Sequence, residues 1–351
     1  MRLLSLGLIT SFLCLALLVC SDKTEQRSAP GTETETQTAE ATPDQSDSES
    51  VTAPPVAMTQ FVLDPQSGTI FKLNLATDSI AASYQAEAGL SCIAFDYMGR
   101  KLYKGFAGAS PGLEIYDTKE EQTIKRIDFP EPVTAMLFDP LKRHLYIVSE
   151  DSTRFKDFNC DSLGMEQDFP LHVVDKGFIG PTTLQPGPAG KVITANGDRC
   201  AVTQVFTQNA FMYQTITNHL ARRLDCAVFS WDGNSSYSCD TKAGAIYKVQ
   251  FGSGEMQAQK DKLDRPRSVQ IEVNSNTVVV VVGDNEVLML NPDTFVETGR
   301  INLAEYGDEI LSVEIPPKAN FAEVLMDYKG VTRWLRFDVR TWENTRMIEL
   351  I

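Results

Sequence analysis

The sequence predicts an all-β fold: a β-propeller of seven four-stranded blades, preceded by a disordered tether. Three observations predict it. Residues 58–351 repeat one pattern of short apolar runs, with anchor positions 42 to 46 residues apart. Polar or glycine turns separate the runs within each repeat, at about the 8–12-residue spacing of an all-β protein. No segment keeps a 3.6-residue apolar period long enough for a substantial helix.

The N-terminus predicts export. One Arg precedes an apolar run from Leu3 to Val19, and the sequence becomes polar directly after Cys20. This run is too short for a comfortable membrane span and has the length of a secretory signal, which we assign to residues 1–19. The end of the run resembles the lipobox of bacterial lipoproteins, with Leu17 matching the pattern and Val19 departing from it. The resemblance implies that Cys20 is the acylated first mature residue. An Asp after the Cys favours inner-membrane retention in this family, so Ser21 implies delivery to the outer membrane where the host has two membranes.

Residues 20–57 predict a spacer between this anchor and a folded domain. From Ser21 to Ala57 there is no Phe, Tyr, Trp, Leu or Ile, and eight acidic residues face only Lys23 and Arg27. Such a segment buries too little apolar surface to offset its conformational entropy, so we expect it to be disordered. As a flexible coil it reaches on the order of 30–35 Å.

The remaining residues, 58–351, are assigned to the propeller because two staggered series share one period. One series has apolar runs on both sides of a turn, as in SCIAFDYMGRKLYKG from Ser91 and SVQIEVNSNTVVVVV from Ser268. Its anchors are Phe95, Phe138, Leu184, Phe229, Ile271 and Ile315. The other has strands that end in a polar turn, as in FKLNLATDS and WLRFDVRTW. A four-stranded sheet has two apolar faces, and a closed ring of sheets buries all of them.

Counting repeats gives six full units from Leu90 and a partial unit before them. The partial unit holds three predicted strands, near Gln60–Asp64, Thr69–Leu75 and Ser79–Gln85. We therefore expect the C-terminal strand, Arg346 to Ile351, to complete this first blade and join the ends of the ring. Residues 152–223 follow the pattern least, which allows a longer excursion there.

The repeats resemble the YVTN/lactonase-like propellers of exported bacterial proteins. The matching features are the SGT turn at Ser67, Gly68 and Thr69 and the strands that end in a D/N-x-x-T turn. The resemblance is clearest in the first two and last units. Trp231-Asp232 lies in a turn between strands, so it does not indicate a WD-repeat protein.

The cysteines suggest disulfides, which persist in exported proteins. Cys226 and Cys239 flank the Asp232-Gly233 turn symmetrically and would face each other in a simple hairpin. The alternative is that both are small buried core residues. Cys160 with Cys200 is a weaker second pairing, based on their position in the irregular region. No C-x-x-C motif occurs, so neither zinc nor redox chemistry is indicated.

The sequence shows no catalytic or metal-binding motif. It contains no G-x-S-x-G elbow, no phosphate-binding loop, and only three scattered histidines. No cofactor, metal or catalytic residue is predicted. The formal net charge of −15 argues against nucleic acid as a partner.

These features favour a non-catalytic, membrane-tethered propeller that binds a protein or glycan partner in the cell envelope through loops on one face of the ring. The alternative is a periplasmic enzyme with a site at the central channel, because the resemblance includes lactonases and quinoprotein or dehydrogenase subunits. Acidic, amide or histidine side chains that converge at one end of the channel would favour the enzyme.

Overall fold

A computed structural model of the protein describes residues 59–351 except 97–99, 140–141, 150–153, 174–176, 179–182, 188–189, 198–199, 208–211 and 317–318. The predicted signal peptide, Cys20 and the tether lie outside the described residues. Within these residues, no helix has both the length and the apolar character needed to span a membrane.

The described chain forms twenty-nine strands. In chain order they are β1 (Thr59–Leu63), β2 (Thr69–Asn74), β3 (Ser79–Gln85), β4 (Leu90–Phe95), β5 (Lys101–Phe106), β6 (Gly112–Asp117), β7 (Gln122–Asp128), β8 (Ala135–Asp139), β9 (His144–Ser149), β10 (Arg154–Asn159), β11 (Gly164–Pro170), β12 (His172–Val173), β13 (Gly177–Phe178), β14 (Gln185–Gly187), β15 (Lys191–Asn196), β16 (Ala201–Phe206), β17 (Met212–Thr217), β18 (Cys226–Phe229), β19 (Ser235–Asp240), β20 (Ala245–Gln250), β21 (Met256–Lys260), β22 (Ser268–Glu272), β23 (Thr277–Val282), β24 (Glu286–Leu290), β25 (Glu297–Asn302), β26 (Glu309–Glu314), β27 (Phe321–Tyr328), β28 (Val331–Asp338) and β29 (Asn344–Leu350).

These strands form seven antiparallel blades, as the repeat predicted. Blade 1 contains β1–β3, blade 2 β4–β7, blade 3 β8–β11, blade 4 β14–β17, blade 5 β18–β21, blade 6 β22–β25 and blade 7 β26–β29. Within each blade the strands follow chain order. The first strands of blades 2 and 3, 4 and 5, 5 and 6, and 6 and 7 contact one another, so the first strands of these blades lie nearest the centre. The irregular region forms the two outer strands of blade 3, the small sheet of β12 and β13, and blade 4.

The apolar core shows that the ring is closed. It divides into seven clusters, and each cluster joins two neighbouring blades. An open row of seven blades would have only six such interfaces. The seventh cluster packs Val62 and Leu73 of blade 1 against Leu325, Trp334 and Leu350 of blade 7. The two ends of the chain therefore meet through side-chain packing.

The prediction that Arg346 to Ile351 form the fourth strand of blade 1 was wrong. The strand β29 pairs with β28 and forms the outer edge of blade 7. A tight turn at Asp338 brings it back onto β28, and local hairpin pairing is favoured over a long-range exchange of strands because it closes a much shorter loop. Blade 1 has only three strands among the described residues.

A recurrent turn explains why Asn or Asp recurs at the end of the third strand, as in the D/N-x-x-T pattern at Asn291 and Asp338. In four blades, an Asn or Asp at the end of the third strand accepts hydrogen bonds from two backbone N–H groups that follow it. These residues are Asp117, Asn159, Asn291 and Asp338. Four positions later the backbone has positive φ, between 51° and 56°, and the register shifts by a bulge in the following pair of strands. The side chain therefore satisfies the backbone that the turn leaves unpaired.

Candidate functional site: a polar pocket between blades 5 and 6

A polar pocket of about 220 Å³ opens on one face of the ring. It is lined by the turns that join the first to the second strand and the third to the fourth strand, in blades 5 and 6. Its residues are Ser230, Trp231, Asp232, Asn234, Ser235, Tyr237, Lys248, Gln250, Gln257, Asn276, Pro292 and Asp293. We call it the blade 5–6 pocket.

The turn between β18 and β19 holds Trp231 out toward solvent. The Asp232 carboxylate accepts hydrogen bonds from the Ser230 hydroxyl at 2.6 Å and from the Asn234 backbone N–H at 3.1 Å. Burial acts to raise the pKa of Asp232, but these hydrogen bonds outweigh it and leave that pKa below its ordinary value. Gly233 has φ of 69°, a conformation that suits glycine. Trp231 stays 59% exposed on this fixed turn.

The two blades are linked across the pocket by an ion pair. The Lys248 ammonium of β20 lies 2.7 Å from the Asp293 carboxylate, which follows β24 in blade 6. The same ammonium lies 5.6 Å from the centre of the Tyr237 ring. Tyr237 is 1% exposed, and burial raises the pKa of its hydroxyl, so the residue stays neutral. The pocket thus has one cation, Lys248, paired with Asp293, and a second carboxylate, Asp232, held by hydrogen bonds within its own turn.

Neutral polar groups complete the lining. The Ser235 hydroxyl donates to the Gln257 side-chain oxygen at 2.8 Å. The Asn276 side-chain oxygen is buried and has no hydrogen-bond partner in the described part of the chain. A buried acceptor without a partner costs free energy. The arrangement suits a neutral ligand with many hydroxyl groups.

A second polar cluster lies on blade 3. His144 Nδ1 lies 2.9 Å and 3.0 Å from the two carboxylate oxygens of buried Asp157, and its Nε2 lies 3.8 Å from Glu166. Burial raises the pKa of Asp157, with His144 acting against it. One ligand atom from each residue falls within 4.8 Å of the others, a spacing compatible with one cation. The three side chains belong to the second, third and fourth strands, so the cluster does not lie on the strand nearest the channel.

The structure brings one predicted cysteine pair together. Cys226 and Cys239 are direct partners across β18 and β19, with Cα atoms 5.7 Å apart and sulfur atoms within bonding distance. The pairing of Cys160 with Cys200 is not formed. Cys160 packs in the core between blades 2 and 3. The Cys200 thiol of blade 4 instead contacts the Ala221 carbonyl, in the connection from blade 4 to blade 5, at 3.2 Å. The two residues belong to different blades.

The blade 5–6 pocket was not predicted from the sequence, where Trp231 was interpreted only as a turn residue. One signal was available: a large aromatic between polar residues in a turn has no core to pack into. The partners from blade 6 gave no signal, because about one repeat separates Lys248 from Asp293 in the chain.

Fold and core define this protein as a seven-bladed β-propeller. No protein-family model and no curated protein sequence matches the chain. Among solved structures, it is similar to U3-55K, with a TM-score of 0.62 and 14% identity over 76% of this chain and 84% of that one. It is also similar to the β-propeller domain of Cps50 (Swd1) from Myceliophteria thermophila, with a TM-score of 0.57 and 10% identity over 75% of this chain and 86% of that one.

A third similar structure is an enzyme, the dihydro-heme d1 dehydrogenase NirN in complex with DHE. Its TM-score is 0.56, with 11% identity over 85% of this chain and 74% of that one. At such low identities these similarities establish the fold alone, and one fold hosts many functions.

Proposed function

We propose that this protein is a membrane-tethered, non-catalytic propeller that binds a glycan in the cell envelope through the face that bears the blade 5–6 pocket. The observation that carries the proposal is the exposed Trp231 beside this polar pocket. A sugar ring has apolar C–H faces and a rim of hydroxyl groups. An aromatic ring packs against the apolar faces, while fixed polar groups form hydrogen bonds with the hydroxyl groups.

The same face has a second exposed apolar side chain. Val296, in the blade 6 turn that also holds Asp293, is 62% exposed, close to the 59% of Trp231. Both belong to turns rather than to a strand face, so neither is needed to fill the core. Exposed apolar residues around polar groups are typical of binding surfaces. This supports the pocket-bearing face as the one that meets the partner.

The membrane tether rests on the sequence. Cys20 would carry the acyl chains, and residues 21–57 would set the distance between the bilayer and the ring. More than one acyl chain makes attachment stable, because each buried methylene contributes about 0.8 kcal/mol. A ring held in this way searches only the volume that the tether allows, which raises its effective concentration near the envelope surface.

A glycan array probed with the purified protein tests the proposal, followed by titration of any glycan that binds. We expect Trp231→Ala to weaken binding at least tenfold. The control is Leu220→Ala, because Leu220 is 61% exposed but lies in the connection from blade 4 to blade 5, on the opposite face. Equal weakening by both variants, or no glycan bound, would contradict the proposal. Capture of an envelope protein that depends on Trp231, without glycan binding, would replace the glycan with a protein partner.

A further inference from the structure

One imidazole and two carboxylates meet on blade 3, on the face of the ring that bears the blade 5–6 pocket. His144 lies at the start of the second strand, Asp157 in the third strand and Glu166 near the start of the fourth. They therefore stand beside the same two kinds of turn that line the pocket in blade 5. One ligand atom from each side chain falls within 4.8 Å of the others. The cluster belongs to a different blade, so it is independent of the glycan proposed for the blade 5–6 pocket.

Buried Asp157 fixes the orientation of the His144 ring. The Asp157 side chain is 0% exposed, and its two oxygens lie 2.9 Å and 3.0 Å from His144 Nδ1. A carboxylate accepts hydrogen bonds, so Nδ1 carries the hydrogen and, in the neutral ring, Nε2 presents a lone pair. A carboxylate behind one ring nitrogen is the arrangement that orients metal-binding histidines in proteins.

Glu166 is positioned in a similar way. Asn159 Nδ2 donates to Glu166 Oε1 at 2.6 Å. The Asn159 side-chain oxygen is itself fixed, because it accepts hydrogen bonds from the backbone N–H groups of Asp161 and Ser162. The other carboxylate oxygen, Glu166 Oε2, lies 3.8 Å from His144 Nε2. Each of these two atoms therefore belongs to a side chain that a hydrogen bond holds at its other polar atom.

The 3.8 Å separation between His144 Nε2 and Glu166 Oε2 is too long for a hydrogen bond and close to that of two ligands of one ion. Hydrogen bonds from N–H to oxygen are about 2.7–3.2 Å long. Zn²⁺ binds imidazole nitrogen and carboxylate oxygen at about 2.0–2.2 Å, so two such atoms lie about 3.3–3.6 Å apart at a tetrahedral angle. A shift of a few tenths of an ångström closes the difference, and the 44% exposed Glu166 side chain has room to make it.

The charge of the cluster suits a divalent cation. Asp157 and Glu166 contribute two carboxylates, and a buried carboxylate needs a compensating partner. The cations adjacent in the chain are held by other oxygens: Lys142 donates to a backbone carbonyl that follows β16, and Arg143 pairs with Asp161 at 2.7 Å. Ca²⁺ and Mg²⁺ prefer oxygen ligands alone, whereas an imidazole ligand favours zinc.

We propose that His144 Nε2 and Glu166 Oε2 bind one Zn²⁺ ion, with Asp157 and Asn159 as positioning residues. Such an ion would tie the second strand of blade 3 to β11, the outer strand of that blade. Glu166 is 44% exposed, so solvent reaches the remaining coordination positions and water would fill them. Open positions of this kind also accept a donor atom from a ligand.

Calorimetric titration of the purified full chain with zinc chloride at neutral pH tests the site. Glu166→Gln is the informative variant, because the amide oxygen can still accept the hydrogen bond from Asn159 while the anionic ligand is lost. We expect the wild type to bind one zinc equivalent that Glu166→Gln binds at least tenfold more weakly. Glu120→Gln is the matched control: Glu120 is 58% exposed in the turn between the third and fourth strands of blade 2, and its variant should bind zinc as the wild type does. Equal zinc affinity of the wild type and Glu166→Gln, or no zinc bound by the wild type, would overturn the proposal.

Thermal unfolding in the presence of metal salts gives a second measurement. Excess zinc chloride should raise the melting temperature of the wild type, because a ligand of the folded state stabilises it by mass action. The rise should be absent in Glu166→Gln, and calcium chloride at the same concentration should leave the wild type unchanged. Equal shifts with both salts would indicate charge screening without a site and would also overturn the proposal.

Discussion

Trp334 provides the sharpest test of ring closure. It is 0% exposed in the cluster that joins blades 7 and 1, which contact each other although they lie at opposite ends of the described chain. Its indole Nε1 has no hydrogen-bond partner among the described residues. The Arg336 guanidinium lies 5.2 Å from the ring centre. The stabilisation by Trp334 therefore comes almost entirely from packing, and Trp334→Ala should lower the free energy of unfolding by about 3–5 kcal/mol.

The chain supplies its own control in Trp231, which is 59% exposed. Trp231→Ala should change the free energy of unfolding by less than about 0.5 kcal/mol. The assay is urea unfolding followed by far-ultraviolet circular dichroism, which does not depend on the tryptophan that is removed. In thermal unfolding, Trp334→Ala should melt about 10 °C below the wild type. Equal urea midpoints for the two variants would show that blades 7 and 1 do not pack together, and the closed ring would be refuted.

Three further predictions concern a cysteine pair, a partly buried carboxyl group and the anchor. Peptide mapping without reduction should find Cys226 joined to Cys239. Removing both thiols should lower the free energy of unfolding by about 3 kcal/mol, because the cross-link spans 13 residues. Free alkylation of both cysteines would contradict the disulfide. Burial, and then the Glu323 carboxylate, raise the pKa of Glu314 well above its ordinary 4.5. The folded state therefore holds this proton more tightly than the unfolded state, so stability falls as pH rises between the two pKa values. Relative to the wild type, Glu314→Gln should gain stability from pH 4 to pH 7, and a pH-independent difference would contradict the assignment. Cys20→Ala should release the protein from the membrane fraction, whereas unchanged fractionation would exclude lipidation at Cys20.

The sequence predicted the fold well because each blade repeats the same local chemistry. Apolar runs mark the strands, and an Asn or Asp such as Asn291 marks the turn after the third strand by hydrogen-bonding its backbone. The three strands of blade 1 were found within one residue of their observed ends. The run Val278–Val282, at the end of the repeat that begins at Ser268, lies buried in β23.

The errors arose where one repeat meets another. Counting three strands in the first unit suggested that Arg346 to Ile351 would complete it, but the same residues also fit the outer strand of blade 7. Pattern alone does not distinguish these two placements, because both bury the same alternate side chains. The blade 5–6 pocket escaped for a related reason. It is assembled by contacts between blades, such as Lys248 with Asp293, and the repeat describes each blade by itself.

The polypeptide itself connects each blade to the next from blade 1 to blade 7, which gives six covalently linked pairs of neighbours. Blades 7 and 1 have no such covalent link, and their contact is a seam held by the Val62 and Trp334 side chains and by the Gln60–Glu323 hydrogen bond. The N-terminal end of the described chain enters at this seam. A pulling force applied at that end would act on this interface before any other, and the ring would open between blades 7 and 1.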